Sequence, residues 1–186
     1  MSVQPERSSE GPTDPELMRR VSTGDMNALA LLIGRHQERV RRTAYRLLGR
    51  WDAADDVAQE AFLRLYKSAP GYSPVAAFST WLHRIVVNLC LDLLKRRKPS
   101  QLGAMEWLDE GVESDVLVRQ ERVEAVQREL SQLPDRQRVA VVLHRFEGLG
   151  HKEIAATTGW SESAVESLLV RAYARLRERL KQWAET

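Results

Sequence analysis

Apolar residues recur at intervals of three and four through nearly every segment of this chain, and no stretch alternates convincingly between apolar and polar. A strand needs a period of two to bury one face, whereas a helix needs a period of 3.6, so the pattern predicts an all-α fold. Asp14 is expected to cap a short helix through Ser22 that ends at Gly24. A second helix spans Met26 to Leu48, with Leu29, Leu32, Ile33, Val40, Ala44 and Leu47 on its apolar stripe and Gly49 as its stop. A third follows Asp52 and carries Val57, Ala61, Phe62 and Leu65. After it, "SAPGYSPVAAF" breaks the chain with two prolines and a glycine. A fourth runs from Ser79 to Lys95, burying Leu82, Ile85, Val86, Leu89 and Leu93. A fifth runs from Val116 to Leu130, and Pro134 opens the next from the first-turn position proline favours.

The charge is unevenly placed. Residues 15–100 hold 15 Lys and Arg against 8 Asp and Glu, and residues 131–186 hold 9 against 7. Residues 99–118 between them hold five acids and no base. Two mildly basic bodies facing a polyanion, joined by an acidic flexible linker, are what this distribution suggests. The expected organisation is a disordered tail over 1–13, a first helical domain over 14–98, a linker over 99–118 and a second helical domain over 119–186. With the single cysteine Cys90, no disulfide can form within one chain, which favours a reducing compartment. The polar opening "MSVQPERSSEGPTDP" lacks the apolar core of a signal peptide, and no run is apolar and long enough to span a bilayer, so a cytoplasmic location is expected.

"HKEIAATTGWSESAVESLLVRAYARLRERL" places a short helix, a turn at Gly159 and a longer helix capped by Ser161. Ile154, Ala155, Val165 and Leu168 can close the small core between them. This is the helix-turn-helix pattern, whose second helix enters the major groove of duplex DNA. At about 100° per residue, Val165, Leu168, Leu169, Ala172 and Leu176 form the inner stripe. Ser163, Glu166, Ser167, Val170, Arg171 and Ala174 form the outer one. Glu162 is explained by the helix dipole, which favours an acid in the first turn. Glu166 lies beyond that turn on the open face, where it repels phosphate but can accept a hydrogen bond from a cytosine amino group. A plain amphipathic hairpin with a basic tail would leave much the same pattern.

On the fourth helix, Arg84, Asn88, Leu91 and Lys95 share a flank that ends in Lys95-Arg96-Arg97-Lys98. Tyr72 lies in the loop beside it. An aromatic residue next to a cationic groove suits unstacked single-stranded bases, although a basic helix end is also what the dipole alone favours. Asp92, one turn beyond Asn88, is expected to pair with Arg84 or Arg96.

Four pieces together carry a family resemblance: "LMRRVSTGDMNALALLIGRH", "DAADDVAQEAFLRLYK", "FSTWLHRIVVNLCLDLLKRR" and "LPDRQRVAVVLHRFEGLGHKEIAATTGWSESAVESLLVRA". In this order, over nearly everything from Asp14 to Leu180, the chain resembles the extracytoplasmic-function sigma factors, bacterial initiation factors of the sigma-70 type. The resemblance implies binding to core RNA polymerase, recognition of a promoter and help in opening it. It implies docking of the first domain on the β′ clamp through Asp55, Asp56, Gln59, Glu60 and Phe62, and contact of the second with the β flap. It assigns the single-stranded −10 element to Tyr72, Arg84, Asn88, Lys95, Arg96 and Arg97. The duplex −35 element falls to Ser163, Glu166, Ser167, Val170, Arg171 and Arg175. An anti-sigma partner is expected on the same ground. At Glu166 the family usually has lysine or arginine, and at Leu168 often a basic residue, which implies a different upstream sequence or greater reliance on polymerase for affinity.

No cofactor, metal or catalytic role is expected. His36, His83, His144 and His151 do not fall at ligand spacing, and His83 and Cys90 share a helix side but are too few for structural zinc. There is no glycine-rich phosphate loop and no nucleophile with a base. The rival reading is a stand-alone helix-turn-helix regulator, and a third is a decoy that binds polymerase but not promoters.

Overall fold

The computed structural model describes residues 11–73, 77–96 and 125–184. Every regular element among them is helical. α1 (Asp14–Ser22) is capped by Thr13, whose backbone N–H and hydroxyl both donate to the Glu16 carboxylate at 2.7 and 2.8 Å. The expected cap, Asp14, instead accepts from Arg35 at 3.0 Å and sits 2.9 Å from His36 Nε2, which ties α1 to the next helix. α2 (Met26–Leu48) has the bounds its sequence implied. Asp25 accepts from the N–H groups of Asn27 and Ala28 at its head, and Gly49 closes it in the left-handed region at φ 75°. α3 (Trp51–Ser68) packs along α2 and ends in a tight turn at Ala69–Gly71. α4 (Phe78–Arg96) lies on both.

The second unit begins with α5, described over 125–131, and α6 (Asp135–Val141). Pro134 caps α6 rather than occupying its first turn. The helix then widens into a π turn at Val142–Phe146, where the N–H of Glu147 reaches back five residues to the Val142 carbonyl at 3.2 Å. Gly148, at φ 72°, reverses the chain, and Leu149 N–H closes on the Leu143 carbonyl at 3.0 Å. α7 (His151–Thr158) and α8 (Glu162–Ala184) complete the unit.

The two units are packed together, which no periodicity in the sequence announced. α4 lies against α6 and α7, α2 lies against α6 and the π turn, and one apolar core runs through both units. The cause is visible on α4. Besides Leu82, Val86 and Leu89, it buries His83, Val87, Cys90 and Leu94, a second stripe with helical spacing. His83 meets Glu147, and Cys90 lies close enough to feel the Arg138 charge, so this stripe faces the second unit. Leu93, expected inside, is 37% exposed because it falls between the two stripes. Burial pushes the Cys90 thiol up to about 12, with Arg138 opposing, so it remains an uncharged thiol at neutral pH.

Gly159 ends α7 at φ 74°, and a Cβ there would meet open space. Gly159→Ala is therefore expected to cost only the conformational penalty, about 1 kcal/mol, in urea unfolding. A loss near zero would show that the turn between α7 and α8 has another conformation to use.

Candidate nucleic-acid interface

The turn at Gly159 sets α7 and α8 against each other over Ile154 and Val165, both fully buried. Leu169, Ala172 and Leu176 extend the stripe inward, and Leu168 lies partly buried beside it. Ser161 caps α8 by accepting from Ala164 N–H at 3.2 Å. Ser163, Glu166, Ser167, Val170, Arg171 and Arg175 are all exposed. Val170 is 64% exposed, an apolar side chain offered to water on the outer face. Arg171 Nε donates to the Ser167 carbonyl at 3.1 Å, which aims its guanidinium along that face.

A shallow cleft of about 350 Å³ joins Ser163, Ala164, Ser167, Leu168 and Arg171 to Arg136 of α6. Sequence reading missed Arg136, which lies 24 positions before the helix. Its guanidinium rests 4.6 Å from the Trp160 ring centroid, so the aromatic at the turn holds a cation beside the helix head. The surface can therefore offer two guanidinium groups to phosphate or guanine, with small hydroxyl side chains between them.

On α4, Arg84, Asn88, Lys95 and Arg96 are exposed along one flank; Arg97 lies outside the described residues. Asp92 pairs with Lys95 at 3.7 Å, not with Arg84 or Arg96 as expected, because an (i, i+3) partner on the same helix face is nearer. Tyr72 is drawn into an aromatic cluster, with ring centroids 5.1 Å from Trp81 and 6.3 Å from Phe78. Its hydroxyl is buried with no hydrogen-bond partner among the described residues, and burial pushes its pKa up, with Asp14 adding to the effect.

Two apolar grooves complete the surface. One, about 530 Å³, lies between α2 and α3 and is lined by Met26, Leu29, Ile33, Phe62, Leu63 and Tyr66, with Asp55 and Gln59 at its edge. Asp55 and Asp56 are exposed, Asp55 pairs with Arg41, and Glu60 pairs with Arg64 at 2.8 Å. Phe62 is 8% exposed and forms part of the groove wall. The other, about 580 Å³, lies in the second unit between Val126, Leu130, Val141, Phe146, Tyr173 and Leu180.

A third feature escaped sequence reading. Glu147 follows the π turn with a side chain only 1% exposed. Its carboxylate accepts from Thr43 Oγ1 at 2.5 Å and Arg39 Nε at 2.7 Å, both on α2, and pairs with His83 Nε2 of α4 at 3.0 Å. Arg46 stands 3.9 Å away and stacks on Phe146 at 4.4 Å. Burial alone would push the carboxyl up, but the hydrogen bonds from His83, Thr43 and Arg39 outweigh it and hold the pKa at about 2. An acid between an aromatic and a glycine, in "RFEGLG", is unremarkable in sequence; its partners lie more than 60 positions away.

A helix-turn-helix with an open recognition face, packed on a second helical unit with its own cationic flank, defines a two-part DNA-binding protein. Sigma-70 region 2 matches residues 32–99, and Sigma-70 region 4 matches residues 123–176. The ECF RNA polymerase sigma factor SigM of Mycobacterium tuberculosis is 39% identical, over 88% of this chain and 83% of its own. The sigma-E factor of Escherichia coli is 34% identical, over 88% and 92%. Among solved structures, CnrH in complex with the cytosolic domain of CnrY superposes at a TM-score of 0.69 with 27% identity, over 91% of this chain and 97% of that one. RpoE of Bartonella quintana, in complex with the anti-sigma factor NepR, has the same fold at a TM-score of 0.65 and 20% identity. The chain belongs to the extracytoplasmic-function sigma factors of the sigma-70 family. It is a transcription initiation factor that directs promoter recognition by RNA polymerase.

Proposed function

We propose that residues 14–98 and 119–186 divide the promoter between them, with 99–118 as the connection and 1–13 as a tail. In this reading Arg84, Asn88, Lys95, Arg96 and Arg97 track the single-stranded −10 element, with Tyr72 in the aromatic cluster beside them. Unstacking a base costs a few kcal/mol, and aromatic stacking plus a cationic flank offset it. Ser163, Ser167, Val170, Arg171 and Arg175 contact the −35 duplex, with Arg136 adding a phosphate contact. Glu166 exchanges affinity for base choice.

The α2–α3 groove, edged by Asp55, Asp56, Gln59 and Glu60, takes the β′ clamp of core polymerase, and the groove of the second unit takes the β flap. An anti-sigma protein that covers these apolar surfaces would hold the factor inactive. The chain works in the cytoplasm and carries no catalysis of its own; among the described residues no three His, Cys, Asp or Glu side chains gather as a metal site, and no helix is long and apolar enough to cross a membrane.

The observation that carries this reading is the coexistence of an exposed apolar groove on one unit with an open recognition face on the other. A stand-alone regulator needs only the second. Electrophoretic binding to a promoter panel, with and without core polymerase, separates them: tight, selective complexes are expected only with polymerase. On the same panel Glu166→Ala should gain about tenfold on some sites and lose its discrimination against others. A uniform gain with unchanged base preference removes the readout role.

A further inference from the structure

Glu147 belongs to the second unit, yet it is held by Arg39, Thr43 and His83 of the first. Around it Gln127 donates to the carbonyls of Tyr45 and Arg46 at 3.3 and 3.4 Å, and Arg46 covers Phe146. Beside it runs the stripe of Val87, Cys90 and Leu94. A contact between units that mixes apolar packing with a charged centre differs from a permanent core, because its ionic groups can be rehydrated when the units part.

We propose that this contact is a latch by which the free chain holds itself closed, and that it must open before the chain can occupy both promoter elements at once. The inference rests on the two-element reading given above. Elements centred near −10 and −35 lie about 25 base pairs apart, or about 85 Å along the duplex. A compact body of this size has a radius of gyration of about 15 Å and is about 40 Å across. Duplex DNA has a persistence length of about 500 Å and does not fold back over such a span without cost. The closed chain therefore cannot bridge the two elements. The chain between Arg96 and Ala125 can: its 28 intervening residues reach at most about 95 Å when extended. Closure leaves the outer face of α8 and the flank of α4 exposed, so it forbids joint binding without forbidding contact with either element alone.

The test uses the full chain with spin labels on Asp56→Cys and Glu178→Cys, both exposed positions, since buried Cys90 does not react. The wild-type background should give one short, narrow distance distribution. Glu147→Gln keeps the shape and removes the charge, and Thr43→Val removes a donor from the other unit. Each should shift the population to long, broad distances beyond about 60 Å, with the closed-to-open ratio falling by one to two orders of magnitude. Both should load faster onto core polymerase, by about tenfold. If Glu147→Gln loses helical circular dichroism, Thr43→Val alone decides. A long, broad distribution in the wild-type background, or short distances retained in the folded variants, overturns the latch. Opening in the variants while no form makes a promoter complex with polymerase supports the latch and counts against the two-element reading, so the two failures remain distinct.

Discussion

Leu63→Asp is expected to lower affinity for core RNA polymerase by about a hundredfold while leaving the fold intact. Leu63 is 43% exposed on α3, so a carboxylate there stays hydrated in the free protein. Its neighbours Met26 and Tyr66 are 58% and 41% exposed, and together they give the α2–α3 groove an apolar rim that monomeric soluble proteins seldom leave open. Once a partner covers the groove, the new carboxylate loses water and gains no cation from the apolar lining. A desolvated, unpaired charge costs several kcal/mol, and each 1.4 kcal/mol is a factor of about ten in affinity. Fluorescence anisotropy of labelled factor titrated with core enzyme measures the loss, and urea unfolding checks the fold. Unchanged affinity would place the polymerase contact elsewhere.

The second large effect comes from acid. The Glu147 carboxyl titrates at about 2 in the folded chain against an ordinary value of 4.5. A lowered folded-state value means that the ionised form stabilises the native structure. That contribution is fully present above the unfolded value, declines as pH falls through the window from about 4.5 to about 2, and is gone below it. At about 1.4 kcal/mol per unit, it amounts to about 3 kcal/mol at neutral pH. The groups facing the carboxylate are Arg39, Thr43 and Arg46 from α2 and His83 from α4. Comparison with Glu147→Gln isolates this group from the other carboxylates. The stability difference between the two proteins should be largest above about pH 5 and shrink toward the change in hydrogen bonding alone as pH approaches 2. A difference that does not vary with pH would mean that the carboxylate is not held by its ionic partners.

The reach of sequence reading follows from how far apart the determining residues lie. α2 had its bounds legible because Asp25, the apolar stripe and Gly49 are local signals of one helix. The helix-turn-helix was legible for the same reason: Ser161, Gly159 and the Ile154–Val165 contact lie within a dozen positions. Its outer face could be listed residue by residue because helical spacing alone decides which side chains are opposite the core. Errors arose where a distant partner competed. Asp14 was left to cap α1, but Arg35 and His36 claim it and Thr13 works with Glu16 instead. Arg136 reaches the recognition surface only because Trp160 seats it there.

The chain's periodicity, caps and turn glycines determined by themselves that it folds as helices, where most of them begin and end, and which face of α8 meets DNA, because each of these is an interaction within a few turns of backbone. Only the tertiary structure decided that α4 has two buried faces and that the two units close on Glu147. Neither is encoded by any local period: a carboxylate 64 positions from His83 and 104 from Thr43 is buried only when three helices bring its donors together, and burial of a charge is settled by the full set of its neighbours rather than by its place in the chain.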